Sequence, residues 1–110
     1  MAPMLSHLVH HGHVEPRAYG QKECLEAGIQ FARTEGIMPA PEATHAIKGA
    51  VDEALKCKAE GKSKSILFNL CGHGHFDMQA YMDYFSGELA EDSFDAKAFE
   101  ESLSAIPAVN

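Results

Sequence analysis

An apolar run that ends in a glycine-rich loop constrains the fold of this chain more than any other feature. The segment KSILFNL, residues 64–70, has three consecutive apolar side chains, Ile66, Leu67 and Phe68. Such a run is typical of a strand that is buried on both faces, as in a parallel sheet covered by helices. The backbone groups of a central strand must be hydrogen-bonded along both edges. A chain that contains this strand therefore needs neighbouring strands.

The rest of the sequence supplies few strands. VEPRAY, residues 14–19, is the one other candidate, and Pro16 restricts it to an edge or an irregular strand. The spacing of apolar residues predicts helices within residues 1–13, 21–34, 42–60 and 78–85. The predicted class is α/β, with few parallel strands covered by helices. Because strands are scarce, we expect the chain to pair with another chain or to be part of something larger.

Composition narrows the classes of function. A length of 110 residues fits one domain with a modest core, and a formal charge of −7 argues against a nucleic-acid partner. The three cysteines form no CxxC pair, and an odd count fits reduced thiols in a cytosol. No apolar run approaches the roughly 18 residues that span a bilayer, and no signal peptide is recognisable. We therefore expect a cytoplasmic chain with no membrane partner.

The loop after the predicted strand is the best candidate for a binding site. It reads Cys71-Gly72-His73-Gly74-His75, and ligands of open α/β folds bind at the carboxyl ends of strands. The glycines allow the backbone to approach a ligand closely. A thiol and two imidazoles leave three chemistries open, namely a small ligand or cofactor, a metal, and a nucleophilic cysteine. A simple turn is the plain alternative, and C-x-H-x-H is not a standard zinc spacing.

Two further groups of residues could carry chemistry. Glu42 and His45 stand at positions i and i+3 of a predicted helix start, where the helix dipole by itself favours an acid. Four histidines lie near the amino terminus, His7, His10, His11 and His13. A helix there would place His7 and His11 on one face, although surface histidines need no such role. Cys24 and Cys57 fall within helix patterns and are expected to be packed thiols.

Two longer segments together resemble one enzyme family. RTEGIMPAPEATHAI, residues 33–47, and ILFNLCGHGHFDMQAY, residues 66–81, resemble the C-terminal part of the tryptophan synthase beta chain, closest to its second type. The resemblance covers residues 1–90, which we expect to be a segment of the cofactor domain. Residues 91–110 lie outside it and are predicted to be an acidic, helical tail.

The resemblance implies a pyridoxal phosphate enzyme of fold type II, a lyase that joins indole to L-serine to make L-tryptophan. Cys71 falls where the family usually has a serine that hydrogen-bonds the pyridine nitrogen of the cofactor. Gly72 and Gly74 match glycines that lie beside the ring, and Glu42 matches an acid that faces the pocket. The cofactor-binding residues implied for this chain are thus Glu42, Cys71, Gly72 and Gly74, with neither a catalytic residue nor a metal ligand among its residues.

The resemblance also implies that essential parts are missing from this sequence. The family's Schiff-base lysine and its glycine-rich phosphate loop lie upstream of the residues that correspond to Met1. We therefore expect that this chain alone is not catalytic and does not bind pyridoxal phosphate covalently. A second copy or a complementary N-terminal chain is the expected partner. The alternative is a small oligomeric binding module on the same scaffold, with a metal held through Cys71, His73 and His75.

Overall fold

The computed structural model describes residues 2–89 and Lys97. The described part of the chain consists of helices joined by extended segments. They are α1 (Pro3–His10), α2 (Gln21–Glu35), α3 (Pro41–Glu60) and α4 (Met78–Ser86), with one 3-10 turn at Gly74–Phe76. The four helices predicted from apolar spacing are confirmed. The helix predicted within residues 91–110 lies outside the described residues. No described helix is both long and apolar enough to cross a membrane.

Local sequence signals set the ends of the two long helices. The Glu23 carboxylate accepts a hydrogen bond of 2.7 Å from the Gly20 N–H, which satisfies one of the free donors at the start of α2. Pro41 occupies the first turn of α3, where its fixed φ favours the helix. Both helices end at a glycine in the left-handed region, Gly36 at φ 72° and Gly61 at φ 65°. These signals are short-range, and the sequence therefore predicts them well.

The core lies between α2 and α3. Leu25 and Ile47 are each only 2% exposed, and Tyr81 of α4 packs against the same helix pair with 1% exposed. Gly28 makes the close approach feasible, because a Cβ there would lie 2.5 Å from Thr44 Cγ2 and 3.1 Å from the Tyr81 hydroxyl. This packing places α4, and the loop that precedes it, against the start of α3.

The segment at residues 64–70 differs from the prediction. It is extended, but it forms no strand within the described part of the chain, and Leu67 is 96% exposed. Phe68 is half-buried, and its ring packs edge-on against Phe31 with 6.0 Å between the ring centroids. From residue 63 to residue 72, the backbone makes no hydrogen bond to another described residue. The buried-strand prediction is therefore unconfirmed, because a strand needs a hydrogen-bonded partner that the described residues do not supply.

The second strand candidate, residues 14–19, is also extended without strand pairing to described residues. Its contacts are with side chains of α3 instead. Arg17 Nη2 lies 3.4 Å from Glu53 Oε2, and Lys48 Nζ lies 5.7 Å from the centroid of the Tyr19 ring. Lys48 also donates a 2.7 Å hydrogen bond to Asp52, which lowers the pKa of that carboxyl. These surface contacts hold the segment along α3, and the edge strand predicted there is likewise unconfirmed among the described residues.

Candidate functional site

The glycine loop, residues 71–75, brings into contact the two segments that carry the family resemblance, residues 33–47 and 66–81. Gly74 is buried, and its N–H donates a 2.9 Å hydrogen bond to the Met38 carbonyl. A Cβ at Gly74 would lie 2.6 Å from the Pro39 carbonyl oxygen and 2.8 Å from Met38 Cγ. No side chain fits in that space without moving the backbone. The loop therefore packs directly on the chain between α2 and α3.

Two further contacts strengthen this junction. Gly72 has φ 70°, and a Cβ there would lie 3.3 Å from Ala40 Cβ. The Tyr81 hydroxyl donates a 2.6 Å hydrogen bond to the Pro39 carbonyl, and its burial raises the pKa of the phenol. Residues 38–40 thus contact both the loop and α4. We call this contact between residues 38–40 and residues 72–74, together with Tyr81, the glycine junction.

Cys71 lies at the edge of the glycine junction. Its thiol is exposed and reduced, and the side chain makes no hydrogen bond to any described residue. A thiol is a weak hydrogen-bond donor and acceptor. Cys71 is therefore accessible to a ligand from the exposed side of the loop.

His73 and His75 face each other rather than a common centre with Cys71. Their ring centroids are 4.9 Å apart, and His73 Nδ1 accepts a 3.3 Å hydrogen bond from the His75 N–H. Among the residues that the structure describes, no three His, Cys, Asp or Glu side chains are grouped so that they could hold a metal ion. The proposed metal set of Cys71, His73 and His75 is thus not assembled in this structure.

Glu42 follows the segment that the glycine loop contacts, two residues after Ala40. It lies in the first turn of α3, where it is exposed and makes no side-chain hydrogen bond to a described residue. It borders a cavity of about 150 Å³, whose other lining residues are Gln21, Cys24, Leu25, Pro41, Thr44 and His45. No hydrogen bond joins Glu42 to Cys71. Gly72 and Gly74 both pack on residues 38–40. Glu42 is connected to the two glycines only through that segment, because it lies just after it in the first turn of α3.

Sequence reasoning missed a contact at this cavity. Cys24 Sγ lies 3.4 Å from His45 Nδ1, although the two residues are on different helices. Burial raises the pKa of the Cys24 thiol, and the Glu23 carboxylate adds to that shift. Cys24 is 1% exposed, so it is a packed thiol, as its helix pattern predicted. The pairing with His45 has no signal in the sequence, because it depends on how α2 and α3 cross.

The glycine junction is built from the same two segments that carry the family resemblance, and known proteins share those segments. Tryptophan synthase beta chain 2 of Methanosarcina mazei is 60% identical over 88 residues, which are 80% of this chain and 20% of that protein. The protein of the same name from Aquifex aeolicus is 57% identical over 90 residues, which are 82% of this chain and 21% of the relative. This chain is homologous to the C-terminal part of the tryptophan synthase beta chain.

The similarity extends to other tryptophan synthase beta chains, including beta chain 2 of Thermococcus kodakarensis. That protein is 55% identical over 91 residues, which are 83% of this chain and 21% of the relative. The chain therefore spans about a fifth of the length of the relatives it matches. No family model matches the chain. The resemblance read from the two segments is confirmed.

Proposed function

We propose that this chain forms one wall of the pyridoxal phosphate pocket of a tryptophan synthase beta enzyme, which joins indole to L-serine. The glycine junction is the observation that carries the proposal. It holds the loop against residues 38–40, because the positions that a Cβ would take at Gly72 and Gly74 face that segment, and it leaves the Cys71 thiol exposed. A loop fixed in this way presents Cys71 to a ligand in one position.

The residues of this wall fit the cofactor. Pyridoxal phosphate, when bound, supplies an electron sink for chemistry at the α-carbon of an amino acid. Cys71 would hold the pyridine nitrogen with a longer and weaker hydrogen bond than a serine gives. Gly72 and Gly74 would lie along the ring, and Glu42 would bring a negative charge to the edge of the pocket. These roles are those that the resemblance assigns to the four positions.

The wall needs other residues to complete a site. The cavity beside Glu42 has a volume of about 150 Å³, whereas ligand pockets usually measure about 300–1,000 Å³. The resemblance places the Schiff-base lysine and the phosphate loop outside the printed sequence. We propose that these parts come from the preceding portion of the enzyme, and that this chain by itself makes no tryptophan.

The extended segment at residues 63–72 is the surface that we propose for this assembly. Its backbone is unpaired among the described residues, and its sequence, with Ile66, Leu67 and Phe68, is that of a buried strand. A partner strand would hydrogen-bond this backbone, and the assembly would bury its apolar side chains, as when a strand is added to the free edge of a sheet. On this proposal, the parallel sheet of fold type II forms when the rest of the enzyme is present.

Co-expression tests the proposal directly. The partner is the Methanosarcina mazei beta chain 2 from which the 88 matched residues have been removed. We expect the two chains to purify together and to make tryptophan from indole and L-serine when pyridoxal phosphate is added. Each chain alone should make none. Tryptophan formation by this chain alone, or a stable complex with no activity, would contradict the proposal.

A pair of glycine variants controls for the site. Gly74→Ala places a Cβ 2.6 Å from the Pro39 carbonyl oxygen, whereas the Cβ of Gly49→Ala meets only the ring edge and hydroxyl of Tyr19, at 3.8 Å. We expect Gly74→Ala to lower tryptophan formation at least tenfold, because it displaces the loop that carries Cys71. Gly49→Ala should leave the rate within about twofold of the unchanged complex. Equal rates of tryptophan formation for both variants would show that the activity does not depend on the glycine junction.

A further inference from the structure

The first helix carries two histidines one turn apart on its exposed side. The His11 N–H donates a 3.0 Å hydrogen bond to the His7 carbonyl, so the helical geometry extends to His11 at the end of α1. The two ring centroids are 4.2 Å apart, and the ring planes are tilted by 59°. Both side chains are exposed. The proposed function uses neither of them.

We propose that His7 and His11 bind a divalent transition-metal ion, with water in the remaining coordination positions. Two histidines at positions i and i+4 of a helix can share one zinc ion on the same face. With Zn–N distances of about 2.1 Å, two rings on one ion have centroids roughly 5 Å apart. Small rotations of two exposed side chains would open the observed 4.2 Å to that spacing.

The chemistry of the pair selects the class of ion. Neutral imidazole binds Zn²⁺, Ni²⁺ and Cu²⁺ well, whereas Mg²⁺ and Ca²⁺ prefer oxygen ligands. No group of three or more metal-binding side chains exists among the described residues, so those residues supply two ligands here. The site is therefore open and exchangeable, and the usual order of affinities makes Cu²⁺ bind more tightly than Zn²⁺.

Binding at this pair would stabilise α1 itself. The helix has 8 residues, none of them is buried, and its N-cap residue Ala2 provides no side-chain hydrogen bond. Isolated helices shorter than about 12–15 residues are marginal in water. An ion that bridges His7 and His11 holds one turn closed, and it binds the helical form in preference to the unfolded one. Metal binding and helicity of α1 are then linked.

The experiment is a Zn²⁺ titration of the full chain, purified without a histidine tag, followed by calorimetry and far-ultraviolet circular dichroism. We expect one equivalent of Zn²⁺ to bind and the helical signal to increase. His7→Gln and His11→Gln should each weaken binding at least tenfold, since even the loss of an outer partner of a ligand costs about 10- to 100-fold. Both variants should also lose the increase in helicity. They should still fold, because α1 has no buried residue.

His13→Gln is the matched control, because His13 belongs to the same histidine group but lies in the turn after α1. It should bind Zn²⁺ as the unchanged chain does, and the double variant of His73 and His75 to Gln should do the same. The proposal is overturned if His13→Gln weakens binding as much as His7→Gln, or if the loss occurs in the His73 and His75 variant. It is also overturned if Zn²⁺ binds without a gain in helicity.

Discussion

Two glycines inside helices have opposite surroundings, and this difference can be measured. Gly28 is in the interior of α2, where a Cβ would lie 2.5 Å from Thr44 Cγ2. Thr44 is itself 1% exposed and cannot move away easily. We expect Gly28→Ala to lower the free energy of unfolding by about 1–3 kcal/mol, since overpacking outweighs the helix preference of alanine. Urea denaturation followed by circular dichroism measures the change.

Gly49→Ala is the control for that substitution. It also lies inside a helix, but its added Cβ would meet only the ring edge and hydroxyl of Tyr19 at 3.8 Å, an ordinary contact. The free energy of unfolding should rise by about 0.5–1 kcal/mol, because alanine loses less backbone freedom on folding than glycine. If the free energy of unfolding changed in the same direction in both variants, the close packing around Gly28 would be contradicted.

The hydroxyl of Tyr81 is a second single-residue feature with a measurable consequence. Tyr81→Phe removes the donor to the Pro39 carbonyl and leaves that buried oxygen unsatisfied. We expect the free energy of unfolding to fall by about 1–3 kcal/mol. Burial raises the pKa of Tyr81, and the nearby Asp77 carboxylate adds to the shift.

The sign of the pH dependence follows from that raised pKa. Once the pH exceeds about 10, the unfolded chain loses this proton while the folded chain keeps it. Stability is therefore fully present below that pH, and it is lost as the pH rises through the folded pKa of Tyr81. Denaturation at neutral and alkaline pH should show a larger loss of stability in the unchanged chain than in Tyr81→Phe. Because both proteins keep Cys24, whose pKa burial also raises, their difference isolates the phenol. Parallel pH profiles would refute the assignment.

Among the elements, the helices could be predicted from local sequence signals, whereas the state of the extended segment at residues 63–72 could not. The helices were predictable because their signals are local: apolar spacing, Pro41 at a start, and Gly36 and Gly61 at the ends. The apolar run in the extended segment was visible too, but pairing requires a second strand. The described residues do not contain one, so the segment stays exposed at Leu67.

Hydrogen exchange tests the proposed role of this segment. In the isolated chain at low concentration, amides of residues 63–72 should exchange fast, since none of them is hydrogen-bonded to a described backbone group. Amides in the interior of α3 should exchange slowly in the same sample. In the complex with the shortened Methanosarcina mazei chain, the segment should become protected. Fast exchange in an active complex, or protection already in the isolated chain, would refute the pairing.

At the scale of the whole molecule, the described part of the chain has its buried apolar side chains mainly between α2 and α3. Ile47 is 2% exposed, and Ile47→Ala should lower the free energy of unfolding by about 2–5 kcal/mol. That is a large share of the roughly 5–15 kcal/mol typical of whole domains. Leu55→Ala on the same helix is the control, because Leu55 is 58% exposed and should change stability by less than about 0.5 kcal/mol. Thermal melts of both variants provide the test, and equal losses would place the core elsewhere.

The surface of the whole molecule is also informative. Large apolar side chains are exposed in the extended segment, in the 3-10 turn and in α4, among them Leu67, Phe76, Met82 and Phe85. Large apolar side chains that are exposed in an isolated chain are candidates for burial in an assembly. This agrees with the proposal that the chain assembles with the rest of an enzyme. The expected second copy or complementary chain stays a prediction.

The sequence by itself determined the four described helices, the glycine loop and the homology to the tryptophan synthase beta chain, because these depend on local spacing or on long matching segments. Tertiary structure alone decided that Gly74 packs on Met38 and Pro39, and that Tyr81 binds the Pro39 carbonyl. It also decided that Cys24 meets His45 and that residues 64–70 have no strand partner among the described residues. Those outcomes depend on how distant parts of the chain cross, and periodicity along the chain carries no information about that.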